Sequence, residues 1–521
     1  MWHHRPVEAA VRAGVDDRPF AVVDVGSNSA RMIVFRSRPG EHLDVLEDAR
    51  APLRLGRELR DDDRLGAEAI DRTVATLRDF RAIADAADAE RMIAVATAAV
   101  REAADGDVLL ARARELGVPL QIIDGDLEAR FGFRGAVHDL PVTDGAAVDI
   151  GGGSIEVTTF RDRRLRRSWT FPLGSLRVSD RYLTEDPPSE GELKSLRRSA
   201  RATFEDARVP ELGPDDDLVG IGGTVRNLAK MDLRRTDHPL SLLHGYELSR
   251  ANLADLVDDL ASRSMKRRAR MRGLNPDRAD SILGGAVVLS AVMRHLDADR
   301  VVISSRGLRE GLALGDPATP VPTAREVRTI SVATLATRFA TWEAEAAERR
   351  SSLAAQLIAA LDPDAEPSLP ELLEHAAVLL DVGKAIDYYD RYDHTAMIVT
   401  TADLAGFPHR SLGIVAAILR YAGGDTSLGP YARLIPTNER PAVRRAAIAL
   451  ELAEELHRRI PRDEAPIVRC RWGRRFEVEA PVPAPWDPRG VADRFFGVFR
   501  SRLEIVASPT PRPSASLIHP D

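Results

Sequence analysis

Asp24-Val25-Gly26-Ser27-Asn28-Ser29 is a turn sequence whose pattern returns at Asp149-Ile150-Gly151-Gly152-Gly153-Ser154. In the first copy the turn joins apolar runs at residues 20–23 and 31–35, which are typical of buried strands. In the second copy it joins residues 146–148 and 155–160 in the same way. One glycine-rich hairpin is weak evidence about a fold, but two matching copies that each open an α/β stretch predict duplicated lobes.

The sequence around these turns predicts an α/β region followed by helices. Strand-like runs alternate with helical segments in both copies, which favours a mostly parallel, helix-flanked sheet in each lobe. A proline-rich stretch at residues 316–322 is typical of a stiff linker, and the chain beyond it is rich in alanine and leucine. We therefore expect a first lobe at 19–140, a second lobe at 141–316, an all-helical domain at 323–437, a small C-terminal module at 438–507 and a disordered tail at 508–521.

The composition excludes several classes of protein. Of the 521 residues, 44% are hydrophobic, which is ordinary for packed domains and argues against wholesale disorder. No apolar run approaches the ~20 residues that span a bilayer, and the first residues lack the apolar core of a signal peptide. The single cysteine, Cys470, cannot form an internal disulfide. We expect a soluble cytoplasmic protein without a membrane partner, and the formal charge of −7 argues against a specific nucleic-acid partner.

Three glycine-rich turns are candidate phosphate sites. Turns without side chains let several backbone N–H groups converge on one anion, and a helix N-terminus behind the turn adds its dipole. Each turn taken singly is more often a plain tight turn, but three of them in a duplicated α/β chain favour anion binding. The candidate residues are Gly26, Ser27 and Asn28 in the first turn, Gly151, Gly152, Gly153 and Ser154 in the second, and Gly222, Gly223 and Thr224 in the third.

Two aspartates precede the first two turns and indicate a metal ion. Asp24 and Asp149 stand at strand ends, where doubly wound sheets bind their ligands, so we expect Asp24 to belong to the phosphate site and Asp149 to be a metal ligand. Acidic groups beside phosphate are compatible with an intervening Mg²⁺ or another divalent cation, which is usually held by water and one or two carboxylates. Glu156, on the following strand, is a further candidate metal ligand. The alternative for Glu156 is a strand residue that faces solvent.

These features together resemble the exopolyphosphatase / guanosine pentaphosphate phosphohydrolase (Ppx/GppA) family, within the actin–sugar kinase–Hsp70 superfamily. The resemblance covers residue 20 to about residue 314, and its motifs occur in family order. Besides the two repeated turns, the matching stretches are Ala96-Thr97-Ala98-Ala99-Val100-Arg101-Glu102, Gly125-Asp126-Leu127-Glu128-Ala129-Arg130, Gly222-Gly223-Thr224-Val225-Arg226, His244-Gly245-Tyr246 and Gly307-Leu308-Arg309-Glu310-Gly311.

The resemblance implies two ribonuclease-H-like lobes with an active site in the cleft between them. It implies a hydrolase of phosphoric anhydride bonds that processively releases the terminal phosphate of inorganic polyphosphate. The alternative within the family is removal of the 5′-terminal phosphate of guanosine pentaphosphate. Carried over to this sequence, Glu128 is the general base that activates water, Arg101 contacts phosphate, and Asp149 with Glu156 holds the metal. Arg31 also matches the family pattern.

The helical domain resembles the HD-like accessory domain of the same family, but it departs from the metal-binding pattern. Leu380 stands beside Asp381 where the family usually has histidine, and tyrosines replace two further histidines. Asp381, His394 and His375 remain as a poor ligand set. We therefore expect a catalytically inactive domain that serves dimerisation, giving a homodimer, or builds a substrate channel.

Other functions stay open at this stage. A sugar or acid kinase has the same superfamily fold and predicts ATP-dependent phosphorylation of a small acceptor. A non-catalytic sensor of polyphosphate or of the nucleotide predicts binding without turnover. Two basic runs, at residues 161–167 and 266–272, are candidates to guide a long polyphosphate, although a solvated hairpin tip is the preferred interpretation of the first.

Overall fold

The computed structural model of this chain describes residues 18–59, 63–483, 486 and 488–508, which form two compact units. The first unit ends at Ser331 and also includes Ala405–Pro408, whereas the second contains Val332–Leu404 and the residues from His409 onward. Apart from residue 508, the tail predicted to be disordered lies outside the described residues. Among the described helices, none is both long enough and apolar enough to cross a membrane.

The first unit contains two mixed β-sheets. The strands of the first sheet are β1 (Phe20–Val25), β2 (Ser29–Arg38), β3 (His42–Pro52), β4 (Arg91–Ala96) and β5 (Leu120–Ile122). The strands of the second sheet are β6 (Gly145–Ile150), β7 (Ile155–Arg161), β8 (Arg164–Phe171), β9 (Asp217–Ile221), β10 (Glu247–Ser249) and β11 (Arg300–Ile303). The strand orders are β3-β2-β1-β4-β5 and β10-β11-β9-β6-β7-β8.

The two sheets share one topology, which confirms the predicted duplication. In the first sheet β1 pairs antiparallel with β2 and parallel with β4. In the second sheet β6 pairs antiparallel with β7 and parallel with β9. Each sheet therefore has a three-strand antiparallel meander that starts with its first strand, and parallel strands on the other side of that strand. The edge strand β10 is an addition to the second sheet alone.

Helices surround both sheets. Those of the first unit are α1 (Leu55–Glu58), α2 (Gly66–Ala86), α3 (Ala98–Glu102), α4 (Gly106–Glu115), α5 (Gly125–His138), α6 (Ser175–Tyr182), α7 (Glu190–Asp206), α8 (Gly222–Arg235), α9 (Arg250–Ala261), α10 (Met265–Arg268), α11 (Ile282–His295) and α12 (Leu308–Ala313), and α13 (Ala324–Ala336) spans the boundary of the units. Short 3-10 turns lie at Pro39–Glu41 and Pro276–Arg278.

Helices α5 and α12 each cross from one lobe to the other. The predicted boundaries at residues 140/141 and 316 therefore separate the lobes in the sequence, but each crossing helix also packs in the core of the other lobe. Phe133 of α5 packs on Phe160 of the second sheet with ring centroids 5.3 Å apart, a pairing that adds about 0.5–1.5 kcal/mol to burial. Leu312 of α12 packs in the core of the first sheet. The helices cross at Gly135 and Gly311, where a Cβ would overlap the backbone of the opposite helix.

The proline-rich linker is part of the first unit. Arg134, a buried residue of α5, donates a hydrogen bond to the carbonyl of Thr319 within that stretch. Further on, Ile330 packs against Gly40, where a Cβ would lie 2.6 Å from Ile330 Cγ2. These contacts explain why the first unit continues to Ser331 rather than ending near residue 316.

The second unit is helical except at its C-terminal end. Its helices are α14 (Ala344–Leu361), α15 (Ser368–Leu379), α16 (Arg391–Thr401), α17 (His409–Ala422), α18 (Arg440–His457) and α19 (Arg489–Phe499), with 3-10 turns at Leu380–Ala385 and Gly429–Leu434. Three strands form its sheet, in the order β12 (Arg469–Trp472), β13 (Phe476–Ala480) and β14 (Leu503–Ala507).

The predicted boundary at residues 437/438 is wrong because helix α18 belongs to the helical region. It packs on α14 and α17 through an apolar face that includes Val443, Ala446 and Leu450. The mixed C-terminal module is therefore smaller than predicted and consists of the three-stranded sheet with α19. Phe476 and Phe495 stack in that module with ring centroids 5.5 Å apart.

Candidate active site

The carboxyl ends of β1 and β6 face a common cleft between the two sheets. Almost every site residue predicted from the sequence lines it. The predicted residues in the lining are Asp24, Gly26, Ser27, Asn28, Glu128, Asp149, Gly151, Gly152, Gly153, Ser154, Glu156, Gly222 and Gly223.

The two repeated turns have the same geometry and lie against each other. The Gly26 N–H donates to the Ser29 carbonyl at 3.2 Å, and the Gly151 N–H donates to the Ser154 carbonyl at 3.0 Å. A Cβ added at Gly153 would lie 3.4 Å from the Ser27 hydroxyl oxygen, which is ordinary contact distance. The turns of the two lobes are therefore close enough for one ligand to contact both.

The carbonyl groups of both turns are bound from within their own lobes. Leu53 and Gly56 donate backbone N–H groups to the carbonyls of Asn28 and Ser27 at 3.0 and 2.9 Å. In the second lobe, the carbonyls of all three turn glycines accept backbone N–H groups from the segment that begins α6. Because the turn acceptors are satisfied in this way, the remaining backbone N–H groups are the ones available to an anion.

The third turn begins helix α8 and requires glycine for steric reasons. Gly222 has φ of +87°, and a Cβ there would overlap Asp149 Oδ1. A Cβ at Gly223 would overlap the guanidinium group of Arg278. Both charged side chains are thus pressed against the helix N-terminus. The Thr224 side chain is 1% exposed and does not line the cleft, and its methyl group faces Gly285. Its buried hydroxyl has no hydrogen-bond partner among the described residues, so the phosphate contact predicted for Thr224 stays a prediction.

Glu128 lies in the first turn of α5 and lines the cleft. Its Oε2 is 3.2 Å from Nη1 of Arg101, and the same Nη1 donates to the Ile123 carbonyl at 2.7 Å. Burial, together with the nearby carboxylates of Asp24 and Asp149, raises the pKa of Glu128 to about 7 against the lowering effect of Arg101. A carboxyl group with this pKa can accept a proton near neutral pH.

Three further carboxylates share the cleft. Burial raises the pKa of Asp149 to about 6, and it also raises the pKa of Asp24. Glu156 stands directly opposite Asp149 on β7 and is 6% exposed, so the alternative of a solvent-facing strand residue is wrong. Burial, followed by repulsion from Glu128 and Asp149, raises the pKa of Glu156, and its Oε1 has no hydrogen-bond partner in the described structure.

Four arginines complete the cleft, and the sequence analysis singled out only Arg31 among them, as a match to the family pattern. They are Arg31 on β2, Arg226 on α8, Arg278 and Arg309. Burial lowers the pKa of Arg31 to about 9 and that of Arg278 to about 10, with neighbouring arginines acting in the same direction. Arg31 stands opposite Asp24 in the β1–β2 register, the position that Glu156 occupies opposite Asp149 in the second lobe.

The signal for these arginines differs from residue to residue. Arg226 and Arg309 are four and two residues beyond the glycines Gly222 and Gly307 of quoted motifs, so their spacing could have marked them. Arg278 follows no glycine-rich turn, and only the tertiary structure brings it onto Gly223.

The two basic runs do not extend the cleft. In the hairpin run, Arg163 is buried and donates four hydrogen bonds to backbone carbonyls, among them those of Leu140 and Val142, so the preferred interpretation of a solvated tip is wrong for this residue. In the second run, Arg268 is buried and donates to the Leu260 carbonyl. Neither run contributes a residue to the cleft lining.

In the second unit, Asp381 is neutralised by side-chain cations. Its Oδ2 lies 2.6 Å from Nη2 of Arg350, and its Oδ1 lies 2.7 Å from Nζ of Lys384. Although burial alone would raise its pKa, Arg350 holds the pKa of Asp381 below its usual value. Arg350 also binds Glu454 at 2.7 Å. Among the described residues, no group of three His, Cys, Asp or Glu side chains is arranged to hold a metal ion, in this unit or in the cleft.

Comparison with known proteins gives the same family from sequence and from structure. Residues 33–318 match the Ppx/GppA phosphatase family, and residues 327–472 match domain III of the Ppx/GppA phosphatases. Exopolyphosphatase 2 of Mycobacterium tuberculosis is 31% identical over 319 residues, which cover 59% of this chain and 97% of that protein. Exopolyphosphatase 1 of Mycobacterium leprae is 32% identical over 302 residues, which cover 56% of this chain and 88% of that protein.

A solved structure supports the two-lobed fold. The crystal structure of the Aquifex aeolicus member of the Ppx/GppA family superposes with a TM-score of 0.51 at 26% sequence identity. The superposition covers 57% of this chain and 96% of that protein. The actin-like α/β region is therefore common to both proteins.

Proposed function

Because the chain belongs to the Ppx/GppA phosphatase family, we propose that it is an exopolyphosphatase in which Glu128 activates the attacking water. The observation that carries this proposal is the position of Glu128. Its carboxyl group has a pKa of about 7 and lines the same cleft as three glycine-rich turns and four arginines. The names of the mycobacterial relatives support polyphosphate as the substrate.

Substrate binding would use the N–H groups of the turns and the arginines. Phosphoryl transfer asks a protein mainly to position the reacting groups and to stabilise charge on the transferred oxygens. Gly153 and Ser27 bring backbone from both lobes to one point, and Arg278 lies directly over the N-terminus of α8. The terminal phosphoryl group would therefore be held between the lobes, with its oxygens facing cationic and N–H donors.

In the chemical step, a water molecule attacks the terminal phosphorus atom in line with the bond to the next phosphoryl group. Glu128 accepts a proton from the water as the new P–O bond forms. The P–O bond to the penultimate phosphoryl group breaks, and its electron pair leaves with the shortened polyphosphate. Arg101 holds the Glu128 carboxylate at 3.2 Å and is itself fixed by the Ile123 carbonyl, so it positions the base. Release of the proton to solvent then restores Glu128.

The carboxylates of the cleft fit a divalent cation. The donors are all oxygen atoms, as Mg²⁺ prefers, and Glu156 Oε1 is buried without a partner. Asp149 and Glu156 would hold the ion, and water and phosphate oxygens would complete its coordination because the protein offers no preformed ligand cluster among the described residues. When bound, such an ion neutralises charge on the phosphoryl oxygens.

A phosphate-release assay on the purified full chain tests the proposal. It compares polyphosphates of graded length with guanosine pentaphosphate, each with Mg²⁺ and with a chelator. We expect Mg²⁺-dependent release from polyphosphate. Preferential hydrolysis of the nucleotide would assign the other activity of the family to the same cleft, and binding of polyphosphate without release would identify a sensor instead.

A further inference from the structure

A second basic surface lies on the outside of the second lobe, in the groove between α7 and α11. Its lining contains five Lys and Arg side chains and two Glu side chains, so the groove carries a net charge of +3 in a chain whose net charge is −7. We call this surface the α7–α11 groove. Its lining residues are Lys194, Arg197, Arg198, Arg201, Ala202, Glu205, Glu211, Val287, Ser290, Ala291, Arg294 and His295.

The cations form a stripe on one face of α7. Lys194 is three and four residues before Arg197 and Arg198, and Arg201 is four and three residues after them, so the four side chains lie on the same side of the helix over about 10 Å. Arg294 faces them from α11. Like charges at these spacings destabilise a helix, and an anion bound along the stripe would relieve their repulsion.

Most of these cations have no acidic partner within the described residues. Arg201 pairs with Glu205 at 2.7 Å, but no ion pair or side-chain hydrogen bond joins Lys194, Arg197, Arg198 or Arg294 to another described residue. Elsewhere in the same lobe, Arg235 of α8 pairs with Asp255 at 3.1 Å and Arg250 of α9 pairs with Asp297 at 3.2 Å. The groove is therefore a place where positive charge remains available to a ligand.

The lining indicates a linear polyanion without bases. No Phe, Tyr or Trp side chain lines the groove, although proteins that bind single-stranded nucleic acid stack bases on such residues. The one ring in the lining, His295, is fixed by its Nε2 donating to the Val209 carbonyl at 2.9 Å. A straight row of point charges matches a chain that repeats one negative group along its length.

We propose that the α7–α11 groove is a second binding site for inorganic polyphosphate, which holds a distant part of a chain whose end occupies the cleft. This inference rests on the proposed function and adds a site to it. Helix α11 begins four residues after the cleft-lining Arg278 and continues to the groove. From Ile282 to Arg294 the helix rises about 18 Å, so a long chain can reach both sites and a short one cannot.

Occupation of both sites would raise the effective concentration of the chain end at the cleft. Long polyphosphate would therefore bind more tightly than tripolyphosphate, and the shortened product would stay on the protein for the next round. Because the contacts are electrostatic, the advantage of the long chain would fall as salt increases.

The test uses the double variant Arg197→Gln/Arg198→Gln and a matched control, Arg78→Gln/Arg114→Gln. The control removes the same charge from two exposed arginines of the first lobe. Binding of long-chain polyphosphate is measured by equilibrium dialysis with chelator present, over a range of salt concentrations. Phosphate release from long-chain polyphosphate and from tripolyphosphate is measured separately, and thermal melting verifies that each variant is folded.

We expect the groove variant to lose about tenfold in affinity for long-chain polyphosphate and the slope of log affinity against log salt to fall by about one to two. Its KM for the long chain should rise by a similar factor, while tripolyphosphate hydrolysis and the control variant stay within about twofold of the unmodified protein. Unchanged long-chain binding in the groove variant, or preferential binding of single-stranded RNA, would overturn the proposal. Loss of binding in a protein that releases no phosphate would support the groove and refute the proposed function.

Discussion

Replacing Glu128 by glutamine keeps the size of the side chain and its contact with Arg101 but removes the group that accepts a proton. Burial and neighbouring carboxylates raise the pKa of Glu128 from 4.5 to about 7, a shift that corresponds to about 3 kcal/mol. The same destabilisation makes the carboxylate a stronger base toward water. General-base catalysis contributes about 10²–10⁴-fold in rate, so we expect Glu128→Gln to lower kcat by a factor in this range.

The pH profile gives the sign of the effect. Since Glu128 must be ionised to act as a base, kcat/KM of the unmodified protein should fall about tenfold per pH unit below about pH 7. Glu128→Gln should remove this dependence. The assay measures phosphate release from polyphosphate from about pH 5.5 to about pH 9 at constant ionic strength. It gives kcat and kcat/KM for the unmodified protein and for Glu128→Gln.

A matched control lies on the same helix. Asp126 is exposed and pairs with Arg130 at 2.7 Å, so Asp126→Asn changes one acidic group of α5 outside the cleft and should leave kcat within about twofold. The reasoning about Glu128 fails if Glu128→Gln retains more than about a tenth of the activity, or if the acid limb of the profile persists in that variant.

Three other predictions concern the turn, the buried carboxylate and the helical unit. Gly222→Ala should abolish phosphate release because the new Cβ displaces Asp149, whereas Gly66→Ala, at φ of +76° with open space around it, should lower only Tm. The raised pKa of Glu156 means that its ionised form destabilises the folded protein, so Glu156→Gln should raise Tm at pH 8 but not below pH about 4.5. In calorimetry, Mg²⁺ should narrow the difference in Tm between the variant and the unmodified protein at pH 8. Arg350→Ala should cost about 3–5 kcal/mol in urea unfolding, because it removes the buried cation that Asp381 and Glu454 share.

The features that could be predicted from the sequence are local and repeated. The residues that specify the turns at Gly26 and Gly151 lie within a few positions of each other in the sequence. The occurrence of the same pattern twice identified the two lobes. Asp149 precedes its turn directly, so its position at a strand end followed from the strand itself. Glu128 came from the family resemblance, since an isolated glutamate in a helix carries no signal of its own.

The features that the sequence did not indicate depend on tertiary contacts. Burial of Glu156 requires the β6–β7 register that sets it opposite Asp149, and a charged residue on a strand is ordinarily assigned to the solvent face. The orientation of Thr224 also depends on the fold, because helix α8 turns its methyl group toward Gly285 while Gly222 and Gly223 line the cleft. Arg278 enters the cleft from a distant 3-10 turn.

Burial destabilises the ionised side chains of the cleft, and this cost indicates which kind of ligand the site suits. Burial raises the pKa of Asp149 and lowers that of Arg278, so both kinds of group are held in their less stable ionised forms. Pairing the two kinds with each other would relieve this cost, yet Arg226 donates its closest hydrogen bond to the Ser305 carbonyl at 2.8 Å. A ligand that combines phosphoryl oxygens with a divalent cation would satisfy both sets at once.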